Sequence, residues 1–323
     1  WAQWVAVLWL FTLVAVAGLA PYLPLPYPPA VPDLAHVAVP PLSFGHWLGT
    51  DAQGQDILAG LVFGARTVVL LTLPATALAA VLAGLLGSIA GYWGNQLRLA
   101  LPFWVAIVAG SWGLARLPGY QYALAVAVIA GSLSMLLRYI PRQYHGPAFR
   151  FPFDSILRGS LTLLGSVPRL LLVIVVTSQG TTMPQLALVL ALLAWPEMAR
   201  LVRARMQRVS ILPFIEAAQA SGLSPARIWL RHALPHALQP LRTAFPLSLA
   251  TLLGLETTLS FLGLGLPPTT ASWGRMLTNF RLNLGTCNSA YYPLLTIILT
   301  IISLHYLATR SFFIAKNDFI PSS

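Results

Sequence analysis

The sequence predicts an all-helical protein that crosses a membrane about eight times. Hydrophobic residues make up 57% of its 323 residues and charged residues only 8%, whereas soluble domains carry about 25% charged residues. Long apolar runs recur along the chain, several of them near the length of about 20 residues that spans a bilayer. Arginines gather between these runs, as in the cytoplasmic loops of membrane proteins. Together these observations indicate a polytopic membrane protein.

Composition also excludes several kinds of function. The net charge of +11 does not indicate nucleic-acid binding, because the basic residues alternate with membrane spans. The eight acidic residues show no catalytic pairing, and no glycine-rich phosphate loop with a lysine occurs, so we expect neither catalysis nor a cofactor in this chain. The histidines are scattered, and no metal site is predicted from them. Cys287 is the only cysteine, which rules out an intrachain disulfide.

Eight spans are predicted from the apolar runs and the breaks between them. Proline-rich residues 21–41 form an extended connector after the first span, and a cytoplasmic leader is expected to precede Trp1. The turn at 116–119 joins the third and fourth runs into a helical hairpin. Pro74 is expected to kink the second span, and Gly87 and Gly91 form a helix-packing surface in it. The predicted spans are 1–20, 67–90, 99–115, 120–137, 156–177, 185–200, 241–262 and 291–308.

The longest polar stretch of this apolar chain covers residues 216–235, here called the knuckle. Its first residues favour a helix, and Gly222 interrupts that helix because glycine adopts backbone angles that other residues avoid. Ser224 and Pro225 are typical of the N-cap and first position of a second helix, which Pro235 is expected to end. The pattern predicts two short helices joined by a glycine turn, a rigid shape for a soluble partner to bind.

The knuckle resembles the signature of the permease subunits of ABC importers. The signature reads E-A-A, three residues, G, five residues, I, three residues, H, one residue, L-P. It falls without a gap on Glu216, Ala217, Ala218, Gly222, Ile228, His232, Leu234 and Pro235. In that family the segment docks into a cleft on the ATP-hydrolysing subunit. The resemblance implies that Ile228 and Trp229 bury against that subunit, that Glu216 caps its helix or pairs with an arginine there, and that His232 makes a structural hydrogen bond.

Two further motifs resemble the dipeptide, oligopeptide and nickel branch of this family. L-G-T-D, two residues, G-x-D, then G-A-R begins at Leu48, although Gln55 stands where the family usually has arginine. Thr50 or Asp51 is expected to cap an interfacial helix that Arg66 ends. Near the other end, L-S-F-L-G-L-G is followed by a proline and S-W-G. The motif residues expected outside the cytoplasm are Gly49, Thr50, Asp51, Gly54, Asp56, Ser272, Trp273 and Gly274.

The resemblance implies the fold and the partners of the chain. The expected fold is a type I ABC importer transmembrane domain, with a six-span core and an inserted two-helix hairpin. The expected partners are a second homologous permease subunit, two ATP-binding subunits that hold ATP and magnesium, and an extracytoplasmic substrate-binding protein. Short peptides are the expected cargo, with nickel chelates or other small solutes as alternatives. The expected place is the bacterial inner membrane.

Charge predicts the sidedness of the chain. With the knuckle inside, fourteen of the nineteen lysines and arginines are cytoplasmic, four lie outside and Arg169 sits within a span, which places both termini in the cytoplasm. The predicted organisation is a first span, connector and interfacial helix in 1–66, a second span in 67–94 and the inserted hairpin with a basic loop in 95–153. The predicted permease core follows in 154–310 and contains the coupling loop at 213–240. The chain is predicted to end in a cytoplasmic tail, 311–323.

Arg169 and Glu256 are the candidates for a translocation path. A charge at membrane depth costs about 2.5–3.5 kcal/mol, so each must face water, protein or an opposite charge. We hypothesise that Arg169 faces the path near Glu256 and contacts polar or anionic parts of the cargo. A structural ion pair or a snorkelling side chain is the alternative. For the whole chain the alternatives are a secondary transporter or channel that works without ATPases, and a membrane scaffold that transports nothing.

Overall fold

The computed structural model describes residues 2–29, 31–100, 148–177, 181–282 and 287–317, and most of these residues are helical. The predicted spans at 99–115 and 120–137 lie almost wholly outside the described residues. Leu99 and Ala100 are described, and they belong to a short strand rather than to a helix. The helices longer than six residues are α1 (Ala2–Leu19), α2 (Ile57–Trp93), α3 (Phe153–Ser166), α4 (Arg169–Thr177), α5 (Met183–Val209), α6 (Pro213–Ala220), α7 (Leu241–Phe261), α8 (Trp273–Leu282) and α9 (Cys287–Asn317).

Within the described residues, five helices are long and apolar enough to cross a membrane. They correspond to the predicted first, second, sixth, seventh and eighth spans: Gln3–Tyr22, Ile57–Trp93, Met183–Val209, Leu241–Phe261 and Ala290–Arg310. The predicted fifth span is instead two helices, α3 and α4, bent by 81°. Proline disfavours a helical residue before it, so Pro168 accounts for this break. The pair is either one broken span or a re-entrant loop.

Helix α2 corrects the predicted boundary at Arg66. The interfacial helix and the second span are one helix of 37 residues, because Arg66 lies inside it and a charged side chain does not end a helix. Its cap is also different from the prediction. Asp56 accepts a hydrogen bond from the backbone N–H of Ala59 at 3.3 Å, whereas Asp51 accepts from the N–H groups of Gln53 and Gln55 in the preceding turn.

The described chain divides into two compact units. The first comprises residues 1–81, 165–196 and 241–323. Its core joins α1, α2, α7, α8 and α9 through Leu13, Ala65, Val68, Leu253, Trp273 and Ile297. The indole N–H of Trp9 also donates to the hydroxyl of Thr300 at 3.1 Å, tying α1 to α9.

The second unit comprises residues 82–164 and 197–240 and contains the knuckle. It also contains the two-stranded antiparallel pair of β1 (Leu97–Ala100) and β2 (Ala148–Phe151). The predicted packing surface at Gly87 and Gly91 is confirmed. A Cβ at Gly87 would lie 2.7 Å from the carbonyl oxygen of Ala199, and one at Gly91 would lie 2.7 Å from Cβ of Met206. Only glycine therefore allows α2 and α5 to approach this closely.

Polar side chains inside the spans are largely satisfied by their own helices. Threonine hydroxyls donate to the carbonyl four residues earlier at 2.7–2.8 Å, in α2, α4, α7 and α9. This arrangement removes the cost of an unpaired hydroxyl in an apolar setting. The residues concerned are Thr72, Thr76, Thr177, Thr258 and Thr300.

Candidate functional site: the knuckle and the paired motifs

The knuckle is the predicted helix, glycine turn and helix. Helix α6 ends at Ala220, and Gly222 adopts a φ of +74°, which glycine tolerates and most other residues avoid. A side chain at this position would meet nothing within 4 Å, so the backbone angle is its only requirement. The next helical turn, Pro225–Ile228, begins with Ser224 at the N-cap, although the serine side chain makes no cap hydrogen bond.

The end of the knuckle differs from the prediction. Pro235 does not close the helix, which continues as a π turn (Trp229–Ala233) and a last turn (Leu234–Ala237). In the π turn the N–H of Leu234 donates to the carbonyl of Trp229. This wider turn accommodates Pro235, which has no N–H to donate and whose ring would clash in a regular helix.

The inner face of the knuckle packs within its own unit. Ile228 and Trp229 are each 1% exposed, so the expectation that they bury against another subunit is wrong. Helical spacing identifies a buried face but does not say what covers it. Here the covering residues come from α2 and α5, and the Trp229 ring lies 5.4 Å from the ring of Trp93. The buried members of this core are Ile89, Met206, Val209, Ile215, Ala218, Ile228, Trp229, Ala233 and Ala237.

The outer face of the knuckle is exposed and polar. Glu216 lies in the first turn of α6, where a negative charge is favourable, but the N-cap itself is Leu212. Ala217 is also exposed, Ala218 is buried, and His232 is half-buried. The exposed residues are Glu216, Ala217, Gln219, Ala220, Ser221, Gly222, Ser224, Pro225, Arg227, Leu230, Arg231, Pro235 and His236.

A buried ion pair in the same unit was not predicted. The carboxylate of Asp154, at the start of α3, is 6% exposed and accepts two hydrogen bonds from Arg203 of α5. The second of these, from Nη2 to Oδ2, measures 2.8 Å. Nε of Arg158 also lies 3.2 Å from Oδ2 of Asp154, although the side chain of Arg158 is 56% exposed. Arg203, which the sequence marked only as part of the predicted cytoplasmic charge, therefore has a structural partner.

The two other motifs meet in the first unit, although about two hundred residues separate them. The indole N–H of Trp273 donates to the carbonyl of Leu61 at 3.0 Å, and the hydroxyl of Thr67 donates to the carbonyl of Ala271 at 2.7 Å. A Cβ at Gly64 would lie 2.4 Å from Cδ1 of Trp273. A small pocket at this junction is lined by Asp51, Asp56 and Ser272 among other residues. Sequence alone did not show that these motifs touch.

Glu256 is fully buried beneath this junction. Its Oε1 accepts hydrogen bonds from Ser260 at 2.8 Å and from Ser272 at 2.7 Å. The cation that acts on it is Arg275, and burial lowers the pKa of the Arg275 guanidinium while the charge of Glu256 opposes that effect. Arg275 also donates to the carbonyls of Leu266, Pro267 and Thr270, which holds the preceding loop.

Arg169 is the second of the two predicted path residues. It begins α4, is half-buried, and lines a narrow pocket with Ser248, Thr251 and Leu252 of α7 and with residues of α5. Both residues were candidates because a charge at membrane depth is costly. The serines donate to Oε1 of Glu256 and the charge of Arg275 acts on it, whereas Oε2 has no hydrogen-bond partner in the part of the chain that the structure describes. The role of Arg169 and Glu256 in a translocation path stays a prediction.

Fold and motifs define the class as a polytopic helical membrane protein. The family of binding-protein-dependent transport system inner membrane components matches residues 147–314, just over half of the chain. The chain belongs to this family, and it is a permease subunit of an ABC importer. The prediction of that family, and of the type I importer membrane domain, is confirmed, whereas the count of eight spans is not.

Relatives from several bacteria are similar over most of the chain. A putative peptide permease protein of Brucella suis biovar 1 is 28% identical over 257 residues, which cover 80% of this chain and 67% of the relative. The inner membrane ABC transporter permease protein YejE of Escherichia coli K12 is 30% identical over 247 residues, covering 76% of this chain and 55% of the relative. The glutathione transport system permease protein GsiD of Pectobacterium atrosepticum is 27% identical over 267 residues, which cover 82% of this chain and 70% of the relative.

Proposed function

We propose that this subunit forms half of the translocation path of an importer for peptides or similar small solutes. The names of the relatives support this cargo, since they are described as peptide or glutathione permeases. A second homologous permease would complete the path, and an extracytoplasmic substrate-binding protein would deliver the cargo. Two ATP-binding subunits would hold ATP and magnesium. The excess of basic residues on the knuckle side supports cytoplasmic termini in the inner membrane.

The knuckle carries the proposed coupling to the ATPase subunits. The observation that supports it is the division of this segment into two faces. One face, with Ile228 and Trp229, is fixed to its own unit. The other is exposed and carries Glu216, Arg227 and Arg231. A segment seated in this way transmits a push to the helices beneath it, because packed elements move as rigid bodies.

Closure of an ATP-bound nucleotide-binding dimer would displace the knuckle. The displacement would pass through the core around Trp229 to α2 and α5, which supply Ile89 and Met206 to that core. The attached spans would then alternate between inward-open and outward-open states. In this proposal the chain performs no chemistry and contributes shape, stiffness and a charged contact surface.

Two substitutions in the exposed face test the coupling. Gly222→Pro cannot adopt the φ of +74° and loses the N–H that donates to the carbonyl of Gln219. Glu216→Arg reverses an exposed charge. We expect each variant to recover less than about a tenth of the ATPase subunits that co-purify with the wild type, a change of about 1.4 kcal/mol or more.

Matched controls are available at both positions. Asparagine tolerates a positive φ and a side chain at 222 meets open space, so Gly222→Asn should keep the ATPase subunits bound. Glu216→Gln keeps the size of the side chain without the reversal of charge. If both Gly222→Pro and Glu216→Arg retain the ATPase subunits at wild-type stoichiometry, the coupling assignment is wrong.

We propose that Arg169 contacts polar or anionic parts of the cargo. Its half-buried place beside Ser248 and Thr251 gives it a polar neighbourhood at membrane depth. Arg169→Met keeps the length of the side chain and removes its charge. We expect uptake of an acidic dipeptide into proteoliposomes to fall about tenfold, since charged contacts contribute about 1.5–3 kcal/mol. Arg169→Lys is the control that keeps the charge, and unchanged uptake by a folded Arg169→Met complex would end the hypothesis.

A further inference from the structure

Three metal-ligating side chains converge in the connector between α1 and α2. They are Asp33, His36 and His46, and their ligand atoms all lie within 4.8 Å of one another. No metal site was predicted from the sequence, because the histidines are scattered and no periodic pattern brings these three positions together. The loop itself supplies the convergence. The hydroxyl of Thr50 donates to the carbonyl of His36 at 2.6 Å, which ties the segment around His36 to the residues just before α2.

The distances fit a small coordination sphere. Nδ1 of His36 lies 2.9 Å from Oδ2 of Asp33, and Nε2 of His46 lies 3.6 Å from the same oxygen. Zn²⁺ binds histidine nitrogen and carboxylate oxygen at about 2.0–2.2 Å in tetrahedral sites, which places neighbouring ligand atoms roughly 3.3–3.5 Å apart. The observed spacings lie on either side of this value. The three ligand atoms lie within 4.8 Å of one another, so the side chains would draw closer together around an ion.

His46 is a buried group that lacks the hydrogen bonds such a group requires. The residue is 1% exposed, and neither of its ring nitrogens has a hydrogen-bond partner in the described structure. Buried polar atoms are nearly always satisfied, so an imidazole with two open nitrogens points to a ligand. One nitrogen faces Asp33. The other lies 3.6 Å from Oδ1 of Asp56, which is also buried and without a hydrogen-bond partner.

A histidine placed between a candidate metal ligand, Asp33, and a second carboxylate, Asp56, is typical of histidines that bind metals. A metal-bound histidine usually directs its second ring nitrogen to a carboxylate or carbonyl, which fixes the tautomer and the ring orientation. Asp56 is placed for that role towards His46. The ring of Tyr27 stacks on His46 with centroids 3.8 Å apart, which further restricts the rotation of the imidazole.

We propose that Asp33, His36 and His46 bind one divalent transition-metal ion of the zinc type, with Asp56 orienting His46. Imidazole and carboxylate ligands suit such ions, whereas Mg²⁺ and Ca²⁺ prefer sites made of oxygen ligands. The ion is a resident structural ion, separate from any cargo. It joins the connector at Asp33 and His36 to the turn before α2, and so fixes the loop that carries the first of the two paired motifs.

Zinc titration of the purified permease complex tests the proposal. The complex is first stripped with a chelator, and Zn²⁺ is then titrated in competition with a fluorescent indicator. We expect one high-affinity site per chain that Mg²⁺ and Ca²⁺ do not occupy, and a midpoint of thermal unfolding that rises with zinc concentration, because a ligand that binds the folded state stabilises it. Failure to find a zinc site of this stoichiometry overturns the proposal.

Three variants assign the site. His36→Ala removes a ligand that is one-third exposed, so the chain should still fold, and its zinc affinity should fall more than about 100-fold, since even outer-shell groups are worth 10- to 100-fold. Asp56→Asn should lower the affinity about 10- to 100-fold. His305→Ala is the matched control, because His305 is an exposed histidine on α9. Wild-type zinc affinity in His36→Ala, or an equal loss in His305→Ala, contradicts the assignment.

Discussion

Replacing Trp229 with alanine will destabilise the second unit and release the ATPase subunits. The indole is 1% exposed and packs beside Trp93 in the core that seats the knuckle. Removing a buried tryptophan side chain costs about 3–5 kcal/mol through lost apolar contact and the cavity that remains. The knuckle should lose its fixed position at the same time. We expect a lower midpoint of thermal unfolding in the detergent-solubilised complex and a matching loss of co-purified ATPase.

Two controls separate this cavity effect from a direct contact with the partner. The N–H of Trp229 is buried without a hydrogen-bond partner, so Trp229→Phe removes an unsatisfied donor and keeps an aromatic ring. Trp229→Phe should lower the unfolding midpoint much less than Trp229→Ala does. Leu230→Ala changes the neighbouring side chain, which is 53% exposed, and should leave the unfolding midpoint unchanged. A normal unfolding midpoint for Trp229→Ala would show that the core around it does not support the knuckle.

Replacing Asp154 with asparagine should have a similarly large effect. The carboxylate is 6% exposed and holds the guanidinium of Arg203, whose side chain is 18% exposed. Removing one partner of a buried ion pair leaves the other charge uncompensated, which costs about 3–5 kcal/mol. We expect the unfolding midpoint to fall and the extraction of intact protein from membranes to decrease.

The contacts around Asp154 provide an internal comparison. Arg158 also touches Asp154, but its side chain is 56% exposed, so Arg158→Ala should cost less than about 1 kcal/mol. The double variant Asp154→Leu with Arg203→Met removes both charges and should recover much of the lost stability, because apolar replacements of buried pairs are often neutral. An Asp154→Asn variant that loses no more stability than Arg158→Ala would refute the structural role of this pair.

Sequence patterns anticipated the elements that depend on local chemistry. Apolar length located five of the helices, and the glycine at 222 marked a turn whose positive φ few other residues adopt. Gly87 and Gly91 were recognised because close helix approach requires small residues at that spacing. The break at Pro168 was missed, although the restriction that proline places on the residue before it was available in the sequence.

Other features depend on contacts between distant residues and leave no local pattern. Helical spacing grouped Ile228 with Trp229 but could not show that their own unit buries them. Asp154 and Arg203 are 49 positions apart, and nothing in either neighbourhood marks them as partners. Asp33, His36 and His46 lie in irregular chain without a period, so their convergence is a product of the folded loop. The predicted hairpin in 95–153 remains a prediction, since most of it lies outside the described residues.

In the proposed translocation path, the threonines of the spans would limit how firmly this subunit holds a solute. Thr72, Thr76 and Thr300 donate their hydroxyl hydrogens to their own helices. These donors are occupied and the three side chains are buried, so they would offer little attraction to a solute. Weak retention favours rapid turnover, because a solute must leave a pathway as readily as it enters. Walls of this kind would make the membrane step permissive, and discrimination between cargoes would then take place before entry into the bilayer.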